Sequence, residues 1–427
     1  MTERLYSNDS LLTTFDAVVT DIQEVSRASG QSLWRVALDR SAFYPTGGGQ
    51  PYDVGTLIAT SRSGAELTAE IVDVEEDEHG EVWHHTAKPL IAGTAVRGTI
   101  DAARRLDHVQ QHSGQHLLSA AFIEICGART VSFHLGEASS TIDLEVDNLT
   151  ASTLEQVEDR ANQIIAEDRP VTMSIVPREH AESLLAAGEL RKLPPRQGDL
   201  RIITIADFDR NACGGTHVSS TGQIGGLHLR GLEKVKQGLR VEFVCGARAA
   251  RMARNDFNRL TEAARQLSVG LEEVPQAIQR LQSDAKHSAK HTLKLTNELA
   301  QYQAAELVAQ TPIESGLRMI QLQLTAANQV DASYAKMLAS KIAAQANQTV
   351  SLLGWKPEDA SAPATVVLSR SGDLELDCGT VLRTALATHG GRGGGSKDMA
   401  QGSVPLEKLE SLLNELTAHC QASIAAK

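Results

Sequence analysis

His112-Ser113-Gly114-Gln115-His116 and, far downstream, Cys213-Gly214-Gly215-Thr216-His217 organise the reading of this chain. Each stretch sets two metal-capable side chains four residues apart. A helix advances 3.6 residues per turn, so His112 and His116 point from one helical face. Cys213 and His217 flank a Gly-Gly loop that can turn both side chains toward one point. One Cys and three His form a tetrahedral, borderline-soft set that suits Zn2+.

Taken alone, an H-x3-H pair is often surface or satisfied core, and His108 one turn earlier shows how readily the spacing arises. Cys213 strengthens the reading: a free cysteine usually sits in apolar core, whereas Cys213 lies among Asn211, Gly and Thr. Ser follows His112, so the helix lacks the general base of an H-E-x-x-H metalloprotease. The H-x-E and P-C-x-x-C pair of zinc nucleobase deaminases is also missing.

Working outward, Phe43-Tyr44-Pro45-Thr46-Gly47-Gly48-Gly49-Gln50-Pro51 carries three consecutive glycines. Their backbone entropy cost calls for a reason, such as close approach of a ligand, with a plain wide loop as the alternative. Thr130-Val131-Ser132-Phe133-His134-Leu135-Gly136 leads into Ser140-Thr141-Ile142-Asp143-Leu144, and Gly393-Gly394-Gly395-Ser396-Lys397-Asp398-Met399-Ala400-Gln401-Gly402 lies near the C-terminus. Taken in their order along the chain, the five motifs resemble the editing and C-terminal parts of alanyl-tRNA synthetase and its free-standing relatives, the alanyl-tRNA editing proteins.

That resemblance implies an α+β chain of four parts: a glycine-rich small β-barrel (1–99), a zinc-binding editing domain (100–246), a helical coiled-coil segment (247–312) and a DHH-associated α/β domain (313–427). It implies hydrolysis of the ester joining a wrong amino acid, serine first and glycine second, to tRNA for alanine. His112, His116, Cys213 and His217 are the expected zinc ligands. Thr46 is the candidate reader of the serine hydroxyl, with Gly47, Gly48, Gly49, Gln50, Ser132 and His134 around the substrate. Arg392 and Lys397 are the candidate tRNA phosphate contacts. No general base is assigned. Four protein ligands would close the zinc site, so the metal could fix the pocket rather than act on the ester. Gly-Gly-Gly-Ser stands where DHH phosphoesterases have Gly-Gly-Gly-His, so phosphoesterase work is not expected. Free-standing editors lack the aminoacylation half; this chain opens directly on the barrel segment, and residues 47–49 are no P-loop, so no ATP-dependent activity is expected. Two other functions fit the same motifs: a non-catalytic zinc-containing tRNA-binding protein, and a zinc hydrolase of small amino-acid esters.

Composition agrees with a multidomain globular chain. It has 427 residues, 41% hydrophobic and 4% aromatic, so its cores rest on Leu, Ile, Val and Ala. There is no membrane-length apolar run and no signal-peptide pattern. The five scattered cysteines make no disulfide framework, which fits a reduced cytoplasm; all but Cys213 read as core. Net charge is −12, yet residues 190–251 hold eleven Lys or Arg against five Asp or Glu. This local excess is a candidate RNA-facing patch.

Locally, residues 32–38, 69–74 and 82–85 alternate as strands, the last two forming a hairpin. Asp107 is the candidate cap of the His112 helix. A helical stripe covers about 153–168, and 171–176, 202–206 and 239–245 read as strands. Val274, Ile278, Leu281, Ala285, Ser288, Thr292, Leu295, Leu299 and Tyr302 follow a heptad seam, either an intramolecular hairpin or a homodimer contact through residues 270–305 and the C-terminal domain. Beyond Pro312, strands at 319–324, 350–353 and 365–368, a helix at 380–388 running into the glycine loop, and a final helix over 405–425 complete the chain.

Overall fold

The computed structural model describes residues 1–427 except 29–30, 62, 196–197, 326–329 and 426–427. The chain is a mixed α+β protein of two compact units, Met1–Ala263 and Ala264–Lys427.

The first unit begins with β1 (Glu3–Arg4), β2 (Thr14–Ala28), β3 (Gln31–Leu38), β4 (Arg40–Ser41), β5 (Gly55–Thr60), β6 (Glu66–Ile71), β7 (Asp73–Glu76), β8 (Val82–Thr86) and β9 (Ala95–Ile100). Seven of these form one sheet in the order β6-β5-β9-β2-β3-β8-β7. Alternate residues Phe15, Ala17 and Val19 of β2 are buried, as a strand with one core face requires. The edge strands β6 and β7 are separated only by Val72, whose N–H donates to His85 O at 3.0 Å. The sheet therefore rolls round until its edges meet. No ladder joins β6 to β7 among the described residues, so the expected barrel is here a rolled, unclosed sheet.

The unit continues with α1 (Ala102–Cys126), β10 (Arg129–Leu135), β11 (Ser140–Glu145), α2 (Ala151–Ala166), β12 (Val171–Val176), α3 (Arg178–Ala186), β13 (Leu200–Ile205), β14 (Asp209–Ala212), β15 (Leu227–Val235), β16 (Gly238–Cys245) and α4 (Gly246–Leu267), which runs past its end. A β10-β11-β16-β15 sheet and a β12-β13-β14 sheet flank α1 and α2, whose Leu117, Leu118, Ala121, Val157, Ala161 and Ile164 share one core with Ile142, Val241 and Phe243. α1 is capped by Asp101, which accepts from the N–H groups of Ala103 and Arg104, and ends at Gly127 in the left-handed region. Asp107, the expected cap, lies within the helix and pairs with Arg248 instead. Cys126 also departs from expectation: it is exposed, because it occupies the last helical residue, and its thiol donates to Phe122 O at 3.2 Å.

Buried polar links tie the rolled sheet to α1. Arg105, 1% exposed, pairs with the fully buried Asp53 and donates to the carbonyls of Ser10 and Ala42. Removing either partner of such a pair costs about 3–5 kcal/mol.

The second unit holds α5 (Val274–Gln310), β17 (Arg318–Thr325), α6 (Ala332–Gln345), β18 (Thr349–Lys356), β19 (Ala364–Arg370), α7 (Cys378–Thr388), β20 (Arg392–Gly395), β21 (Met399–Val404) and α8 (Leu409–Ala425). Its sheet runs β17-β18-β19-β21-β20, with β17 and β18 parallel across the α6 crossover. Neighbours Leu352 and Leu353, and likewise Val366 and Val367, enter opposite cores, so helices cover both faces. The glycine stretch expected as a loop is instead the β20–β21 hairpin. A Cβ on Gly393 would lie 2.5 Å from Gly402 Cα, and one on Gly402 2.2 Å from Leu386 Cδ1. The glycines let α7 lie directly on backbone. Along α5 the heptad seam is open: Ile278, Leu281, Leu295, Leu299 and Tyr302 are exposed, while Ala300 and Ala304 pack inward. No helix among the described residues is long and apolar enough to cross a membrane.

Candidate metal centre

The α1 helix is buried almost all round from His108 to Phe122, the pattern of a helix enclosed on every face. His112 and His116 stack on it, centroids 5.3 Å apart and planes 14° apart. Opposite them, β13 and β14 present the Cys213 loop. Arg201 on β13 donates to Cys213 O at 3.0 Å and Gly215 O at 2.7 Å, which bends the loop inward. Gly215 then lies against His112: a Cβ there would meet Cε1 at 2.1 Å. His217 follows, its ring 4.7 Å from His112 and 4.8 Å from His116.

The donor atoms of His112, His116, Cys213 and His217 all lie within 4.8 Å of one another. Cys213 Sγ is 3.2 Å from His112 Nε2. His217 Nε2 is buried with no hydrogen-bond partner, the kind of orphan a metal would satisfy. Each imidazole has a polar neighbour behind it: Gln50 Oε1 at 2.9 Å from His112 Nδ1, Ser113 Oγ at 3.4 Å from His217 Nδ1, and Asp209 Oδ2 at 3.9 Å from His116 Nδ1. Outer partners of this kind orient metal ligands. Burial holds His112 down to about 3 and His116 and His217 well below the ordinary histidine range, so all three are neutral donors. Burial pushes the Cys213 thiol up, opposed by the Gly215 N–H and the Arg201 charge. These residues fit a soft divalent cation.

The glycine loop reaches this cluster. Gly47 and Gln50 exchange backbone hydrogen bonds of 3.1 and 2.9 Å across Gly48 and Gly49, whose φ values are +54° and +82°. Positive φ at both central residues is the type I′ hairpin pattern. Tyr44 O–H donates to Gly47 O at 3.0 Å, and Thr46 N–H donates to Val74 O at 3.0 Å. Thr46 itself is exposed, whereas Gln50 is buried. Gly49 abuts Phe133, which sits 5.5 Å from the His112 ring.

Ser132 and His134 are not brought to the cluster. Side chains alternate along β10, so Phe133 faces His112 and its neighbours face away. The Ser132 hydroxyl donates to Asp143 at 2.8 Å beside Arg240. Alternation could have singled out Phe133 from the sequence; Arg201 and Asp209 carried no such signal.

The basic stretch is largely neutralised. Arg191, Arg210, Arg230, Arg240 and Arg248 pair with Asp209, Glu189, Asp256, Asp143 and Asp107. Arg201 is committed to carbonyls, and Arg196 lies outside the described residues. Lys192, Lys234, Lys236 and Arg251 stay exposed. In the second unit Arg392 opens β20, and Lys397 lies in the β20–β21 turn, where its carbonyl accepts from Cys378 N–H at 3.0 Å.

Three family descriptions match the chain: "tRNA synthetases class II (A)" over residues 2–104, "Threonyl and Alanyl tRNA synthetase second additional domain" over 200–242, and "DHHA1 domain" over 318–422. Alanine–tRNA ligase of Natronomonas pharaonis is 31% identical over 418 residues, 97% of this chain and 43% of its own. That of Pyrococcus abyssi is 30% identical over 420 residues, 94% of this chain and 42% of its own. The chain thus spans less than half the length of these relatives. Among solved structures, the C-Ala domain from Aquifex aeolicus alanyl-tRNA synthetase aligns with 25% of this chain and 97% of its own at 18% identity, with a TM-score of 0.22, too low to bear on the fold.

Proposed function

We propose, for a chain that belongs with the alanyl-tRNA-synthetase-like editing proteins, that it is a trans-editing deacylase acting on tRNA for alanine charged with serine and, more weakly, glycine. The observation that carries this reading is the convergence of Gln50 from the glycine loop, His112 from α1 and Thr216 from the Cys213 loop at one buried point. In this reading the glycine loop and the candidate metal centre work as one site.

In this reading residues 1–99 supply the loop and 100–246 the centre. Residues 247–312 and 313–427 serve pairing and tRNA contact, the latter through Arg392 and Lys397. His112, His116, Cys213 and His217 would hold zinc, which when bound supplies a fixed positive charge able to polarise a carbonyl. The ester step joins a water oxygen to the acyl carbon and breaks the bond to the ribose oxygen, which takes up a proton. The chain's part is positional. Gly47 and Gly48, bare of side chains, let the acyl group lie against backbone. Thr46 offers an exposed hydroxyl to the serine hydroxyl, a contact alanine cannot make. Phe133 keeps water from one side of His112. The open seam at Ile278, Leu281, Leu295, Leu299 and Tyr302 supports pairing of two copies through residues 270–305, which sedimentation would detect.

The test is deacylation by purified protein of tRNA for alanine carrying serine, glycine or alanine, with metal analysis of the same preparation. The expected result is hydrolysis of the seryl ester above the glycyl, sparing of the alanyl ester, and stoichiometric zinc. Binding of tRNA without hydrolysis of any of the three would overturn the reading in favour of a binding protein.

A further inference from the structure

We infer that Gln50 is a positioning residue that sets the tautomer of His112 and thereby couples the glycine loop to the metal centre; the inference rests on the zinc reading above. It begins from the backbone N–H of Thr216, which lies 3.1 Å from Gln50 Oε1. A backbone N–H can only donate, so the amide atom it meets is the oxygen. The same oxygen lies 2.9 Å from His112 Nδ1. A carbonyl oxygen can only accept, so Nδ1 carries the hydrogen. A neutral imidazole has one such hydrogen. The lone pair is therefore on Nε2, the atom that lies 3.2 Å from Cys213 Sγ at the centre of the cluster.

The rest of the amide is occupied as well. Gln50 Nε2 donates to Thr216 Oγ1 at 2.8 Å, and the side chain is 1% exposed. Its oxygen is engaged by His112 and Thr216 and the residue is buried, which sets Gln50 behind the exposed Thr46 rather than beside it. Its backbone, however, closes the Gly48–Gly49 turn through both hydrogen bonds with Gly47. A rotation of the His112 ring thus pulls on the amide that anchors the loop carrying Thr46. Conversely, a ligand pressing on the loop acts on a metal ligand through one side chain.

The experiment measures zinc affinity of the full chain by competition with a chromophoric chelator, for wild type, Gln50→Leu and Gln50→Glu. Leu has similar bulk but leaves the His112 Nδ1–H and Thr216 N–H without an acceptor. Glu restores both. The expected result is a loss of zinc affinity of about 10–100-fold in Gln50→Leu, as for other outer partners of metal ligands, and recovery to within about threefold of wild type in Gln50→Glu. Equal affinity of wild type and Gln50→Leu overturns the inference, as does wild type that binds no zinc. Should Gln50→Leu fail to fold, long-range 1H–15N correlation on zinc-loaded wild type decides: a protonated Nδ1 and a metal-bound Nε2 on His112 support the inference, and the reverse pattern overturns it. Neither readout needs tRNA. A protein that deacylates nothing yet loses zinc affinity in Gln50→Leu sinks the proposed function and upholds the role of Gln50.

Discussion

Gly215 and His112 share one space: a Cβ on Gly215 would lie 2.1 Å from His112 Cε1 and 2.6 Å from Nδ1, while one on the adjacent Gly214 would meet nothing within 4 Å. The two glycines of the Cys213 loop therefore differ in what they permit. Gly215→Ala is expected to push the His112 ring aside and lower zinc affinity by on the order of 10–100-fold. Gly214→Ala should stay within about twofold of wild type, as unconstrained surface changes do. Chelator competition on both variants checks the contrast, and equal losses would contradict it.

The glycine loop makes a similar distinction. Gly49 has φ +82° and no room before Phe133, 2.6 Å from a built Cβ, whereas a Cβ on Gly47 meets only ordinary contacts at 3.8 Å. Gly49→Ala should cost about 1–3 kcal/mol in stability through backbone strain and overpacking. Gly47→Ala should melt with wild type yet, in the proposed function, hydrolyse seryl-tRNA at least about tenfold more slowly, from a methyl group placed against the proposed substrate position. Undiminished hydrolysis by Gly47→Ala would show that this glycine does not face the substrate.

Thr46→Val keeps the volume of an exposed side chain and removes its hydroxyl. If Thr46 reads serine, hydrolysis of the seryl ester should fall by roughly 1–3 kcal/mol of transition-state stabilisation, while the glycyl ester changes little. The measurement is kcat/KM on both. Equal falls would assign Thr46 to loop support instead.

His84 provides a pH dependence remote from the metal cluster. It is fully buried, 3.0 Å from Val36 O through Nδ1 and 2.7 Å from Ser41 Oγ through Nε2, and burial lowers it to about 4. The unfolded chain titrates its histidines near 6.5. Between these values the unfolded state binds the proton and the folded state does not. Stability from this residue is thus complete above about pH 6.5 and falls as pH drops toward 4, by about 2 kcal/mol between pH 7.5 and pH 5. Urea unfolding of wild type and His84→Gln at both values isolates the contribution; parallel pH slopes would refute it.

The elements legible in the sequence were those with a strong period or a hard stop. The α2 stripe Val157, Ala161, Ile164 is buried as its spacing requires, and Pro170 follows its end. The apolar runs at 350–353 and 365–368 became central strands because both faces of their sheet are covered. The His and Cys motifs converge, since four donors of matched chemistry had one plausible common point. Asp107 was misleading because Asp101, at the true helix start, offers the same cap chemistry. Ser132 and His134 enter through the resemblance of their segment to the family motif, whereas strand alternation turns their neighbour Phe133 toward His112. The β20–β21 glycines hid a strand, because glycine is uncommon in strands unless backbones must touch. Arg201 and the amide orientation of Gln50 depend on contacts far apart in the chain that no local pattern encodes.

His112 and Cys213 are 101 residues apart in the chain. At translation rates of about 5–20 residues per second, the two histidines of α1 leave the ribosome roughly five to twenty seconds before their thiol partner. During that interval the nascent chain carries only the two imidazoles, a donor pair common to zinc, copper, iron and nickel sites. The full candidate donor set exists only once Cys213 and then, four residues later, His217 have been made, so any metal held earlier meets two imidazoles and no thiolate.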